Sequence, residues 1–325
     1  MTDPLNKLLG EQGYVVLDGA MGTQLFAAGL TSGDPPERWN VEHPERVKRI
    51  HDGYIAAGSD VVLTNSFGGT RYRLALHGLE SRVREFSAAA ASVARQAADA
   101  VDRTVLVAGS MGPTGELIEP LGALTPDDAE SAFEAQAVGL TDGGADLLWL
   151  ETMSDLNELT AAVAGARKGS DLPIVATMSF DTAGRTMMGV GPTDVAGRMA
   201  DAGLVAIGAN CGNNIADTEA VVREIRELMA PLSVVSKANA GIPEWHGTEL
   251  HYDATPEVLA AHAHRVHSAG VEIIGGCCGS TPEHIAMIKA VLSGEVQVTE
   301  PPPEPVQRTT VDRDHRRSRR RRRST

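Results

Sequence analysis

Val15-Val16-Leu17-Asp18-Gly19-Ala20-Met21-Gly22-Thr23 is the stretch on which the fold turns. Three apolar residues make a short strand, and the strand runs into an acid and a Gly-rich turn. An open doubly wound sheet usually carries Gly-x-Gly-x-x-Gly at this first turn, where a helix N-terminus meets a pyrophosphate. That spacing is absent here, which favours the closed (β/α)8 TIM barrel over the open sheet. Seven further apolar runs repeat the pattern: 60–64, 104–108, 146–150, 173–177, 204–207, 233–237 and 272–274. Between them lie stretches of helical spacing, at 45–57, 80–100, 126–139, 155–167, 193–202, 217–229 and 255–268, with a last helix at 282–292. Short continuous apolar strands suit a parallel sheet buried on both faces. Eight β–α repeats over about 280 residues are what a barrel requires.

The residues that follow the strands are unusual. Asn65-Ser66-Phe67-Gly68-Gly69, Gly109-Ser110-Met111-Gly112-Pro113-Thr114-Gly115, Glu151-Thr152, Asn210-Cys211-Gly212, Asn239-Ala240-Gly241 and Gly275-Gly276-Cys277-Cys278-Gly279 are polar and Gly-rich. In a barrel such turns converge on the C-terminal face, where these folds build their sites.

The chain has three cysteines, Cys211, Cys277 and Cys278. An odd count with two adjacent is no disulfide framework, and leaves metal binding, thiol reactivity or inert burial. Cys211 ends the sixth predicted strand and the pair ends the eighth. One strand separates them, so about 10 Å lies between the strand ends at the usual strand spacing, a gap that inward-leaning side chains can close. Three thiolates suit a soft or borderline ion, with Zn2+ the commonest, and three protein ligands leave a fourth position open. Such a site is a poor Lewis acid for hydrolysis but can hold a further thiol as thiolate. Thiol alkylation is therefore the expected reaction class.

These turns resemble those of the homocysteine S-methyltransferase family, which includes betaine–homocysteine methyltransferases and the homocysteine module of cobalamin-dependent methionine synthase. The resemblance covers about residues 10–292. It rests on Asp18-Gly19-Ala20-Met21-Gly22-Thr23, Thr64-Asn65-Ser66-Phe67, the Gly109–Gly115 turn, and above all Asn210-Cys211-Gly212 with Gly275-Gly276-Cys277-Cys278-Gly279. It implies zinc-dependent transfer of a methyl group to homocysteine, giving methionine, with Cys211, Cys277 and Cys278 as the metal ligands. It further implies that Asp18 and Glu151 grip the substrate ammonium, that amides of the turn at Gly19 lie near its carboxylate, and that Asn239 corresponds to an asparagine able to fill the fourth zinc position. Trp39 lies near where animal betaine enzymes carry a donor-binding Trp, while their donor-contacting Tyr after the second strand is Gly68 here. Glycine betaine ranks first among small onium donors. The resemblance leaves two rivals: a homocysteine-activating partner of a separate corrinoid protein, and a non-catalytic zinc- or thiol-binding barrel. With one barrel in the sequence, no pterin or cobalamin module is expected within it.

A quaternary ammonium is normally held by aromatic faces. Trp39, Phe67, Tyr72, Phe180 and Trp245 all fall in or near loops on the site face. His262, His264 and His267 share one predicted helix and read as a solvated face.

Composition bounds the rest. The formal charge is −14 over 325 residues. Residues 300–325 carry nine Arg against four acids, which leaves 20 basic and 39 acidic side chains in the body, a net of −19. An acidic body repels nucleic acid. The barrel is expected over 1–295 and a disordered Pro/Arg-rich tail over 296–325. No apolar run is long enough for a membrane span, and the start lacks a secretory pattern. A soluble, cytoplasmic protein is the expectation, and no oligomeric state follows.

Overall fold

Short runs rich in Val, Ile and Leu, each closed by Gly, Asn or an acid, form eight parallel strands. They are β1 (Val15–Val16), β2 (Val61–Leu63), β3 (Leu106–Met111), β4 (Leu147–Met153), β5 (Ile174–Met178), β6 (Ala206–Cys211), β7 (Ser233–Ala238) and β10 (Ile273–Gly276). A small antiparallel hairpin, β8 (Glu244–His246) and β9 (Glu249–His251), follows β7. This computed structural model describes residues 3–298 apart from 182, 243, 247 and 248, and the backbone alone at 244–246 and 249–251. The predicted tail from 299 onward, and the side chain of Trp245, lie outside the described residues.

The strand order is β1-β10-β7-β6-β5-β4-β3-β2. A parallel bridge between Leu17 and Val61, with the Asp18 N–H donating to the Val61 carbonyl at 3.1 Å, joins the two ends of that order. The result is the (β/α)8 barrel expected from the sequence. All eight strands fall on the predicted apolar runs, but β3, β4 and β6 reach further toward the C-terminal face, to Met111, Met153 and Cys211.

Alternation along the strands sorts the core into two shells. Leu17, Leu63, Leu106, Trp149, Val175, Val235 and Ile273 fill the barrel interior. Val16, Val62, Val107, Leu148, Ile207 and Ile274 face the helices. The N-terminal end of the barrel is plugged by a helix that the sequence reading did not predict, Pro4–Gln12, whose Leu5 and Leu8 join the interior shell. Asp3 caps it by accepting from the Leu5 N–H, and Gly13 ends it in a left-handed turn at φ 78°.

One expectation is corrected. His262 is not on a solvated face. It is fully buried against β7, with Nε2 3.0 Å from Ser236 Oγ and Nδ1 3.1 Å from Glu219 Oε1. The helix Pro256–Ser268 turns its Ala260-Ala261-His262-Ala263 segment inward, so this histidine finds polar partners inside while His264 stays exposed. Among the described residues, no helix is long and apolar enough to cross a membrane.

Truncating the interior plug leaves a cavity that the barrel cannot collapse around. Leu5→Ala is expected to cost about 2–5 kcal/mol, read as a lowered midpoint in urea unfolding.

Candidate functional site

The interior alternation continues upward into a polar layer. Two residues beyond Ala108 on β3 stands Ser110, two beyond Trp149 on β4 stands Glu151, two beyond Val235 on β7 stands Lys237, and two beyond Gly275 stands Cys277. These side chains line one cavity of about 540 Å³ together with Asp18, Gly19, Cys211 and Cys278. The cavity runs outward past Met21, Phe67 and Leu76 to Arg73 and His77.

Two backbone irregularities aim the site. The β4–β5 register shifts between Leu150 and Met153, and Thr152 sits there at φ 61°. Cys211, at the end of β6, has φ 63°. Left-handed conformations at non-glycine residues cost on the order of 1–3 kcal/mol each and persist only where neighbours impose them. Asn210 is the neighbour common to both. Its Oδ1 accepts from the Thr152 N–H at 2.8 Å and its Nδ2 donates to Thr152 Oγ1 at 2.7 Å. One amide thereby fixes the turn after Glu151 and the residue before Cys211.

The three sulfurs meet as the sequence predicts. They lie within 4.8 Å of one another, with Cys211 Sγ 3.9 Å from Cys278 Sγ. A tetrahedral ion with metal–sulfur bonds of about 2.3 Å would place its sulfurs roughly 3.8 Å apart, so this donor set fits one. Ala238 joins the two turns: it pairs with Cys211 in the sheet, and its carbonyl accepts from the Cys277 N–H at 2.8 Å. Hydrogen bonds from Cys211 and then Cys277 hold Cys278 well below the usual thiol range, while the bond to Cys277, then that to Cys278, pushes Cys211 up.

Asp18 and Glu151 are both brought to this cavity, each buried. Asp18 Oδ2 accepts from the Leu63 N–H at 2.7 Å, and Oδ1 from Lys237 Nζ at 3.2 Å. Glu151 Oε1 accepts from Ser110 Oγ. Burial, partly offset by the Lys237 charge, pushes the Glu151 carboxyl up to about 7. Burial works against the Lys237 charge, but the Asp18 and Glu151 carboxylates outweigh it and push that ammonium up to about 12. Gly19 lets the chain pass close to the wall: a Cβ there would meet Ser280 Oγ at 2.5 Å and the Tyr54 hydroxyl at 2.8 Å.

Two predicted residues are placed otherwise. Asn239 does not line the cavity. Its Nδ2 donates to the Gly212 carbonyl at 2.8 Å and its Oδ1 accepts from the Cys278 N–H at 3.0 Å, so the amide ties the two cysteine-bearing turns together. Nor is Trp39 brought to the cavity. It is buried among Leu25, Leu30 and Val47, with the Arg46 guanidinium 5.0 Å from the ring centroid. Of the loop aromatics, Phe180 is core and Tyr72 packs beside Ile118 and Leu124; Phe67 reaches the cavity wall.

Sequence reasoning missed Lys237 and Tyr252, and quoted Ser110 and Asn210 only as parts of motifs. For Lys237 and Ser110 the signal was present, as period-two continuation of an inward-facing column. For Tyr252, whose ring lies against Gly279 beside the cysteine pair, nothing in the sequence marked it out.

The family model for homocysteine S-methyltransferase matches residues 15–292. Methionine synthase of Mycobacterium tuberculosis is 35% identical over 308 residues, covering 90% of this chain and 25% of that protein. That of Mycobacterium leprae is 33% identical with the same coverage, so the chain spans about a quarter of the length of these relatives. The crystal structure of the homocysteine methyltransferase MmuM from Escherichia coli, in its metallated form, superposes with a TM-score of 0.73 at 29% identity, covering 89% of this chain and 99% of that one. A barrel with its cysteines, acids and Gly-rich turns in this order, matched over 15–292, belongs to the homocysteine S-methyltransferase family.

Proposed function

We propose that this chain is a zinc-dependent enzyme that transfers a methyl group to the thiol of homocysteine, giving methionine, from a small onium donor, with glycine betaine ranked first. The observation that carries the reading is the three-sulfur cluster at the floor of a cavity whose wall holds Asp18, Lys237 and Glu151. Cys211, Cys277 and Cys278 would hold the ion. When bound there, zinc supplies the positive charge that keeps a substrate thiol deprotonated near pH 7, where a free thiol of pKa about 8.5 is only a few per cent ionised.

The chain's own residues do the rest. Glu151 takes the substrate ammonium, with Asp18 behind it as the counter-charge of Lys237. Asn210 and Asn239 hold the cysteine turns in register. The cavity extends outward from the sulfurs, which leaves room for a donor beyond the substrate, with Phe67, Arg73 and His77 around it. In the transfer the homocysteine sulfur forms the new S–C bond, the donor's bond to its methyl breaks, and the donor leaves with that electron pair. Holding the two reactants in line is worth several orders of magnitude in effective concentration.

A second reading has its own support. The matched mycobacterial proteins are named methionine synthase and this chain spans only a quarter of them. The same site would then receive its methyl group from a corrinoid rather than from a small onium donor.

Each of Cys211→Ala, Cys277→Ala and Cys278→Ala should lower bound zinc, measured by metal analysis of the purified protein, and abolish methyl transfer. Full activity in any one of them rules out three-sulfur ligation. Asn239→Ala frees both cysteine turns and is expected to weaken zinc about 10–100-fold in a chelator competition, with the far-UV spectrum unchanged. Methionine formation from homocysteine is then assayed with glycine betaine, S-methylmethionine and a dimethylsulfonio acid separately. Turnover with one of them supports the onium reading, whereas tight zinc with no turnover on any favours the corrinoid partner.

A further inference from the structure

The strands β1 and β10 lie side by side, and their ladder runs out just below the site. Its last rungs are the Leu17 N–H on the Ile274 carbonyl at 2.8 Å and the Gly276 N–H on the Asp18 carbonyl at 3.1 Å. Beyond them one chain carries the Gly19-Ala20 turn and the other carries Cys277 and Cys278, all on the cavity wall. Among the described residues no further backbone hydrogen bond joins these two turns.

Two side chains take over from the ladder. Ser280 Oγ accepts from the Ala20 N–H at 3.1 Å and donates to the Cys277 carbonyl at 2.7 Å. Tyr54, from the helix Pro44–Ala56, shares its hydroxyl proton between the Ala20 carbonyl at 2.8 Å and the Ser280 carbonyl at 2.9 Å. Both side chains are fully buried. The fit around them is close: a Cβ on Gly276 would overlap Ser280 Oγ, and one on Gly19 would meet both hydroxyls. Buried hydrogen bonds packed this densely hold a fixed spacing.

That spacing is the one a thiol amino acid has to span, with its sulfur at the cysteine cluster and its carboxylate near the amides of the Gly19 turn. We propose that Tyr54 and Ser280 are positioning residues that set the length of thiol the site accepts, selecting the two-methylene side chain of homocysteine over the one-methylene side chain of cysteine. This rests on the homocysteine reading of the site and adds to it the origin of chain-length selectivity. Both residues act through the backbone of Ala20 and of the 277–280 turn. The alternative is that the sheet alone fixes the spacing and the two hydroxyls serve only stability. A stability role weakens every thiol alike, whereas a spacer changes the ratio between a long thiol and a short one.

The test measures dissociation constants of L-homocysteine and L-cysteine by calorimetry, on wild type, Tyr54→Phe and Ser280→Ala, each carrying one zinc per chain. Metal analysis before and after titration checks the loading. One methylene is worth about 10- to 200-fold in a fitted site, and wild type is expected to prefer homocysteine by that much. A displacement of about 1 Å is enough to spoil such a fit. In each variant the preference should therefore fall below about fivefold. Tyr54→Phe keeps the ring and its packing, so any lowering of the thermal midpoint is read separately from the ratio. A wild-type ratio retained in either variant that loads zinc overturns the proposal, even where both thiols bind more weakly, and leaves the homocysteine reading standing. Equal binding of the two thiols by wild type overturns it as well. If wild type binds neither thiol, the homocysteine reading itself fails and takes the proposal with it.

Discussion

Sulfurs held within 4.8 Å of one another, as those of Cys211, Cys277 and Cys278 are, can all ionise only if positive charge is placed among them, and the architecture at this end of the barrel follows from that requirement. Two carboxylates lie in the same cavity, and each makes the charge problem worse. Lys237 is the internal answer: it pairs with Asp18, and its charge also acts on Glu151. What remains uncompensated is the sulfur cluster, which is the part of the wall best suited to a metal. The acids and the thiols thus divide two kinds of cation between them, an ammonium for one and an ion for the other.

The geometry of the cluster depends on the ends of strands and the turns tied to them. Cys211 is the last residue of β6 and pairs with Ala238 of β7, whose carbonyl also takes the Cys277 N–H. Asn239, the next residue, reaches both cysteine turns. Two side-chain amides, Asn210 and Asn239, therefore replace the regular ladder at the point where it has to stop. The left-handed backbone at Thr152 and Cys211 is stored strain, and the Asn210 clasp is what maintains it against relaxation.

Much of this was legible before any coordinates. The strands were, because each is an apolar run closed by Gly, Asn or an acid. The cysteines were, because a barrel brings every strand end to one face. What escaped had physical reasons. The helix Pro4–Gln12 is short and its buried contribution is two leucines, so its periodicity is weak until the barrel floor it plugs is known. Lys237 reads as a polar strand terminus, since a lysine is normally solvated; only the inward parity of Val235 marks it as a wall residue. Asn239 and Trp39 were placed by resemblance, which fixes position along the chain and not the direction of a side chain. At Asn239 the backbone of two neighbouring turns has first claim on the amide. At Trp39 the apolar pocket formed by Leu25, Leu30 and Val47 takes the indole.

A metal centre can be made in two ways, and one held by these three cysteines would belong to the second. In small zinc modules the ion gathers its ligands and the fold with them, so that binding energy is folding energy. Here the sulfurs are positioned by a closed sheet, by Ala238 and by Asn239, all resting on an interior shell from Leu5 up to Val235. The work of bringing three repelling donors together is done by packing before any ion arrives. An ion that finds its ligands already spaced for tetrahedral coordination binds without ordering the chain, and its open fourth position is set by the barrel wall rather than by a flexible loop. That is the arrangement a catalytic site needs, since the reacting sulfur can enter and leave while the other three stay where the strands hold them.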